Sequence, residues 1–128
     1  MNREIVNTDL APKAIGPYSQ AVISNGFVYT AGQIPINPKT GKIEASDLEG
    51  QVRQVLDNLS AVLEASDSSL KEIIKLTVFM VDLNDFAILN NVFKEYFPED
   101  PPARSAVQVS RLPKDVLVEI EAVAVVHD

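Results

Sequence analysis

The chain of 128 residues has no cysteine and one histidine. Without cysteine there is no disulfide and no thiol nucleophile, and a cytoplasmic setting is the expectation. The lone histidine, His127, stands next to the last residue and is expected to be a frayed, solvated end. Metal sites draw on clusters of His, Cys and carboxylates, so a catalytic metal or a Ser-His triad is not expected. No apolar run approaches the length needed to span a bilayer. The opening MNREIVNTDLAP has no basic region followed by an apolar stretch, so no secretory signal is expected. Positive charge is scarce: 11 Lys and Arg stand against 18 Asp and Glu, a net charge of −7. An acidic surface repels phosphate backbones, and the basic residues are scattered rather than clustered, which weighs against a nucleic-acid partner.

What is present fits one globular domain spanning residues 1–128, with 46% hydrophobic and 23% charged residues. Asn25-Gly26, between Val22-Ile23 and Phe27-Val28, predicts a hairpin over 21–30 with a tight type I′ turn. Gly16-Pro17 stiffens the segment before it and presents Tyr18, either as a half-buried aromatic with a wet hydroxyl or as a ligand contact. Ala31-Gly32-Gln33 ends the second strand. Gly32 there admits two readings, close approach of a backbone or ligand, or a simple bend.

A helix is predicted over 46–65, with Ser46 and Glu49 as a capping box. Its apolar stripe, Val52, Val55, Leu56, Leu59, Val62 and Leu63, is core packing. Residues 73–81 read as a strand. Asp82 caps a second helix over 83–97, followed by Pro98. Asn90 lies beside that helix's apolar side, either as a structural hydrogen-bonder or as a ligand contact. Two more strands, over 103–110 and 116–126, flank RLPKD and are expected to pair as a hairpin. The order ββ-α-β-α-ββ suggests an α+β fold, a mainly antiparallel sheet with two helices on one face. The last strand is apolar on both faces apart from Glu119 and Glu121, so the second face needs cover, and another subunit is the economical source.

Arg104, Glu119 and Glu121 are the charges least like ordinary surface charges. A guanidinium offers two parallel donors to a small carboxylate, although an internal ion pair is an equal reading. Glu119 and Glu121 share one side of their strand, as rim charges or with one of them acting as a general acid or base. If Ser110 pairs with Val116, Arg104 and Glu119 lie on opposite faces. A site using both then needs a register change, a bulge or two subunits.

Several separated motifs together resemble the Rid (YjgF) family, the reactive-intermediate imine deaminases. They are Ile15-Gly16-Pro17-Tyr18, Ala31-Gly32-Gln33-Ile34-Pro35, Val81-Asp82-Leu83-Asn84-Asp85-Phe86, Pro102-Ala103-Arg104-Ser105, RLPKD and Val118-Glu119-Ile120. The resemblance covers essentially the whole chain and is nearest to the RidA subgroup. It implies a chorismate-mutase-like α+β fold and a homotrimer whose sheets form a central barrel, with pockets between subunits. The implied reaction is cofactor-independent hydrolysis of 2-iminobutanoate and 2-iminopropanoate, which arise from PLP-dependent dehydratases, to 2-keto acids and ammonia.

In that scheme Arg104 holds the substrate carboxylate, Glu119 positions and deprotonates water, and Tyr18 orients substrate or water. Gly32 offers backbone, and Asn90 is a more distant pocket residue. Ala31 stands where the pattern commonly has serine, and Ala106 where it commonly has cysteine, leaving only backbone there to touch ligand. The rival readings are a non-catalytic sensor of small carboxylates, a ribonuclease or translation inhibitor, and a chaperone.

Overall fold

The computed structural model describes residues 3–127. Chain order is β1 (Glu4–Val6), β2 (Ala21–Ser24), β3 (Phe27–Thr30), α1 (Leu48–Glu64), β4 (Ile73–Met80), α2 (Phe86–Tyr96), β5 (Ala103–Gln108) and β6 (Val118–Val125). Short 3-10 turns precede β4, α2 and β6. The predicted hairpin forms: Asn25 and Gly26 both take positive φ, 52° and 82°, as a type I′ turn demands. β1 was not anticipated, because three residues are too few to show a period.

The six strands make one sheet in the order β1-β2-β3-β6-β4-β5. Every neighbouring pair is antiparallel except β4 with β5. The expected hairpin between β5 and β6 is therefore incorrect. β5 follows β4 through α2, and a strand–helix–strand crossover returns parallel. The RLPKD run does not fold β6 back on β5. It carries the chain across to the middle of the sheet through a 3-10 turn in which Lys114 and Asp115 both have φ of 56°. β6 belongs there because Val118, Ile120, Ala122 and Ala124 are all buried against the helices.

The α1 stripe is buried as its spacing requires. The helix starts at Leu48 with Asp47 as N-cap, and no side chain caps it, so the Ser46–Glu49 box does not form. Gln51 is the reason Ser46 stays outside: its Nε2 donates to the Ala45 carbonyl (3.0 Å) and holds the lead-in against the first turn. Asp82 does cap, its Oδ1 accepting from the Asn84 N–H (2.9 Å), but the first turn it starts is 3-10 and α2 proper begins at Phe86. His127 is not frayed. Its N–H donates to the Asp67 carbonyl (2.9 Å) and its Nε2 lies 3.0 Å from Glu72 Oε1.

Both helices pack on one face of the sheet and contribute to one core. The other face carries Phe27, Tyr29, Thr77, Glu119, Val123 and their neighbours, alternate residues of the same strands. A smaller cluster of Ile34, Ile36, Leu112 and Val116 packs on Phe79 at one end of that face. Elsewhere Phe27 and Tyr29 stay exposed. Among the described residues no helix is long and apolar enough to cross a membrane.

Candidate functional site: two half-sites on opposite faces

The chain leaves β3 at Thr30 and stays beside the sheet. Ala31 N–H donates to the Gln20 carbonyl (2.9 Å), and Gln33 and Ile120 exchange both backbone hydrogen bonds (2.8 and 3.1 Å). That bridge lays Gly32 against Glu119. A Cβ on Gly32 would overlap Glu119 Oε2 and lie 2.8 Å from its Cδ. Gly32 is therefore neither a simple bend nor, in this chain, a gap left for ligand: it makes room for the Glu119 carboxyl group. Gly32→Ala is expected to displace that side chain from the Gln33–Ile120 bridge, observable directly in a crystal structure of the variant. An unmoved carboxyl group would refute the packing argument.

Burial pushes the Glu119 carboxyl pKa up, and the charge of Glu121, two residues along on the same face, pushes it further. Protonation thus comes more readily to Glu119 than to an exposed glutamate. Tyr18 lines the same shallow depression as Gly32, with Lys13 at its rim. The Tyr18 N–H donates to the Gly16 carbonyl (2.8 Å), and the phenol oxygen accepts from the Ile15 N–H (3.2 Å). The ring, 49% exposed, is held on its own turn with its face to solvent. Buried Gln20 secures the preceding segment, its Nε2 donating to the Thr8 and Pro12 carbonyls (3.0 and 2.8 Å). Tyr18 and Gly32 thus share one depression, and Gly32, next to Ala31 in the chain, seats the Glu119 carboxyl group.

Arg104 is elsewhere. It pairs with Leu76, a core-facing residue of β4, whereas Glu119 pairs with Phe79 on the other face. The opposite-face inference holds, through a different pairing from the one expected. The guanidinium carbon lies 5.1 Å from the Phe86 ring centre and 5.0 Å from that of Phe93, so two phenyl rings of α2 grip the cation. Burial lowers the Arg104 pKa, although a guanidinium stays charged at any ordinary pH. Among the described residues no carboxylate lies within 4 Å of it, so the internal ion-pair reading fails. A cleft of about 430 Å³ opens beside it, lined by Asn90, Lys94, Phe93, Phe97, Pro101 and Pro102. Ala106, two residues along β5, turns its methyl group to the core, which leaves its backbone available.

One chain therefore carries two separate groups on opposite faces, Arg104 with Asn90 at the cleft, and Glu119 on Gly32 near the depression that Tyr18 lines. Reading the sequence missed the Phe86–Phe93 platform and three buried amides, Gln20, Gln51 and Asn58. Gln51 and Asn58 stand in line with Val55 and Val62 on the buried side of α1. Polar amides interrupting an apolar stripe were the available signal.

The profile of the endoribonuclease L-PSP family matches residues 8–126. A RutC family protein of Pyrococcus horikoshii is 58% identical, over 95% of this chain and 97% of the other. The protein of Escherichia coli K12 named 2-iminobutanoate/2-iminopropanoate deaminase is 51% identical, over 94% of this chain and 95% of its own length. The crystal structure of E. coli TdcF with bound serine superposes with a TM-score of 0.92 at 50% identity, covering 97% of this chain and 99% of that one. On the family match, these identities and the shared α+β architecture, the chain belongs to the Rid (YjgF) family.

Proposed function

We propose that this protein hydrolyses 2-iminobutanoate and 2-iminopropanoate to 2-ketobutanoate and pyruvate, releasing ammonia, in pockets formed between the subunits of a homotrimer. The observation that carries the reading is the seat of Glu119, half-buried on Gly32 with its proton affinity raised, where Gly32 also lines a depression with Tyr18. A carboxylate so placed is a general base. Two facts support the pocket's composition. Among the described residues Arg104 has no acidic partner within 4 Å, and it faces away from Glu119. A neighbour supplying Arg104 and Asn90 across the uncovered sheet face completes the constellation and covers that face.

In this scheme the partner's guanidinium binds the substrate carboxylate through two parallel N–H donors. Water held by Glu119 adds to the C=N carbon as Glu119 takes its proton. With the imine protonated, this addition gives a neutral carbinolamine. Glu119 returns the proton to its nitrogen, the C–N bond breaks as the hydroxyl proton passes to Glu119, and the carbonyl is left while ammonia departs and takes up that last proton. Tyr18 walls the depression and orients the reactants. Ala31 presents no hydroxyl beside Gly32, so polar contact there falls to backbone. The names of the E. coli deaminase and of the serine-bound TdcF structure agree with a small amino-acid-like carboxylate as ligand. The net charge of −7 weighs against RNA as substrate.

The test generates the imine in situ with an amino-acid oxidase and follows ammonia and keto acid. Wild type is expected to accelerate imine loss, and Arg104→Ala to return it to the uncatalysed rate. If wild type adds nothing to background while 2-keto acids still raise its melting temperature, the protein is a non-catalytic carboxylate binder.

A further inference from the structure

We propose that Asn58, on the far side of the sheet from the depression, is a positioning residue for Glu119; its kinetic consequence rests on the deaminase reading. Asn58 is 1% exposed, in the middle of α1. Its Nδ2 donates to two carbonyls of the same loop, Ile34 (3.1 Å) and Ile36 (2.9 Å). Its Oδ1 accepts from Gln54 Nε2 (2.9 Å). Two carbonyls need two donors, and the amide is the one uncharged side-chain group of this size that carries both on one nitrogen.

The clamp acts at a particular place. Ile34 and Ile36 follow directly on Gln33, whose N–H and carbonyl both pair with Ile120. Gln33 and Ile120 are each one residue from the contact that matters, Gly32 on Glu119. The 32–36 segment lies outside any named strand and has one bridge to hold it to the sheet. Asn58 supplies the second hold, from a rigid helix. The first turn of α1 does the same for the other side of the contact. Gln51 Oε1 accepts from the Leu117 N–H (2.8 Å), two residues before Glu119. Buried amides of one helix thus fix both backbones between which the carboxylate is seated, although α1 touches no substrate.

Asn58→Asp keeps the size but turns an acceptor toward two carbonyls, so the loop is pushed from its seat. Its control is Val62→Ala, one turn further along α1, which loosens the core without touching the loop. Asn58→Asp is expected to lower kcat about 10-fold to 100-fold, since about 1 Å of misplacement at a reacting group has that scale of effect. KM should stay within about twofold, because carboxylate binding belongs to Arg104. Hydrogen exchange at the Gln33 and Ile120 amides should quicken, and Val62→Ala should change none of these at a matched melting temperature. Should Asn58→Asp not fold, Asn58→Ser, which retains one donor, takes its place with the same expectations.

The proposal is overturned if kcat and those two amides follow the Val62→Ala control, or if KM rises as steeply as kcat falls. The exchange arm stands without catalysis. If wild type proves inactive, the deaminase reading has failed, and unchanged exchange at Gln33 and Ile120 would still refute the positioning of Glu119.

Discussion

Glu119→Gln is expected to lower kcat for imine hydrolysis by about 10²-fold to 10⁴-fold, the range spanned by loss of a general base, and to raise the melting temperature at neutral pH. Glutamine has the shape of glutamate and fits the same space over Gly32, so binding through Arg104 should survive. What it lacks is a site for the proton of water. The stability gain follows from the direction of the shift. Burial, and then Glu121, raise the pKa of Glu119 in the folded protein. A carboxyl group raised in this way favours folding while it is protonated. That contribution is complete below the unfolded-state pKa and is lost as pH rises through the folded-state pKa. As pH rises wild type loses it, and the amide has nothing to lose.

In the proposed pocket a neighbour's Arg104 would oppose this, because an opposite charge lowers the pKa. Burial is expected to win: Glu119 rests directly on the backbone of Gly32 with Glu121 two residues away, whereas in the proposed pocket the guanidinium would stand across the substrate. Melting curves of both proteins across roughly pH 4 to 8, a span that starts near the ordinary glutamate pKa, test the sign. The gap should open as pH rises. A variant less stable than wild type at neutral pH would mean that the guanidinium dominates, and one that kept its kcat would remove Glu119 from the chemistry.

Much of the fold could be read from periodicity because the information is local. The α1 stripe repeats over four turns, and Asn25-Gly26 names its own turn type. Strand pairing is not local. Nothing near RLPKD says that β6 leaves β5 and inserts between β3 and β4, and the apparent hairpin was the wrong neighbour relation. Within a strand the faces came out correctly, Glu119 and Glu121 sharing a side, since alternation is a property of the strand and not of its partner.

The site was legible to the same degree. Arg104 and Glu119 stand out as charges in apolar strands. What holds them could not be seen at the level of one segment. The Gly32 contact joins residues 87 positions apart, and the two rings that grip Arg104 come from a helix ending eight residues before it. Ile120 and Glu119 are adjacent in sequence, yet one faces the core and the other rests on Gly32 on the opposite face, a register set by the β4 ladder and extended by the bridge to Gln33.

Mixing two inactive variants is expected to restore activity, which is the sharpest consequence of the opposite-face geometry. Arg104→Ala leaves every Glu119 half intact, and Glu119→Ala leaves every Arg104 half intact. If each pocket takes its guanidinium from one subunit and its carboxylate from the next, a pocket is whole when the first subunit carries the Glu119 lesion and the second carries the Arg104 lesion. For an equal mixture dissociated and reassembled at random into closed rings, about one pocket in four meets both conditions, so about a quarter of wild-type activity should return. Each variant alone should stay at the uncatalysed rate. Mixing without subunit exchange should stay there too, which separates assembly from any effect of concentration. Were the two residues instead to meet within one chain, every chain in the mixture would lack one of them and no ratio would restore turnover. The distance between those results makes the measurement decisive for where the pocket lies. Arg104, gripped by Phe86 and Phe93 with no acid among the described residues within 4 Å, then has its function only in company.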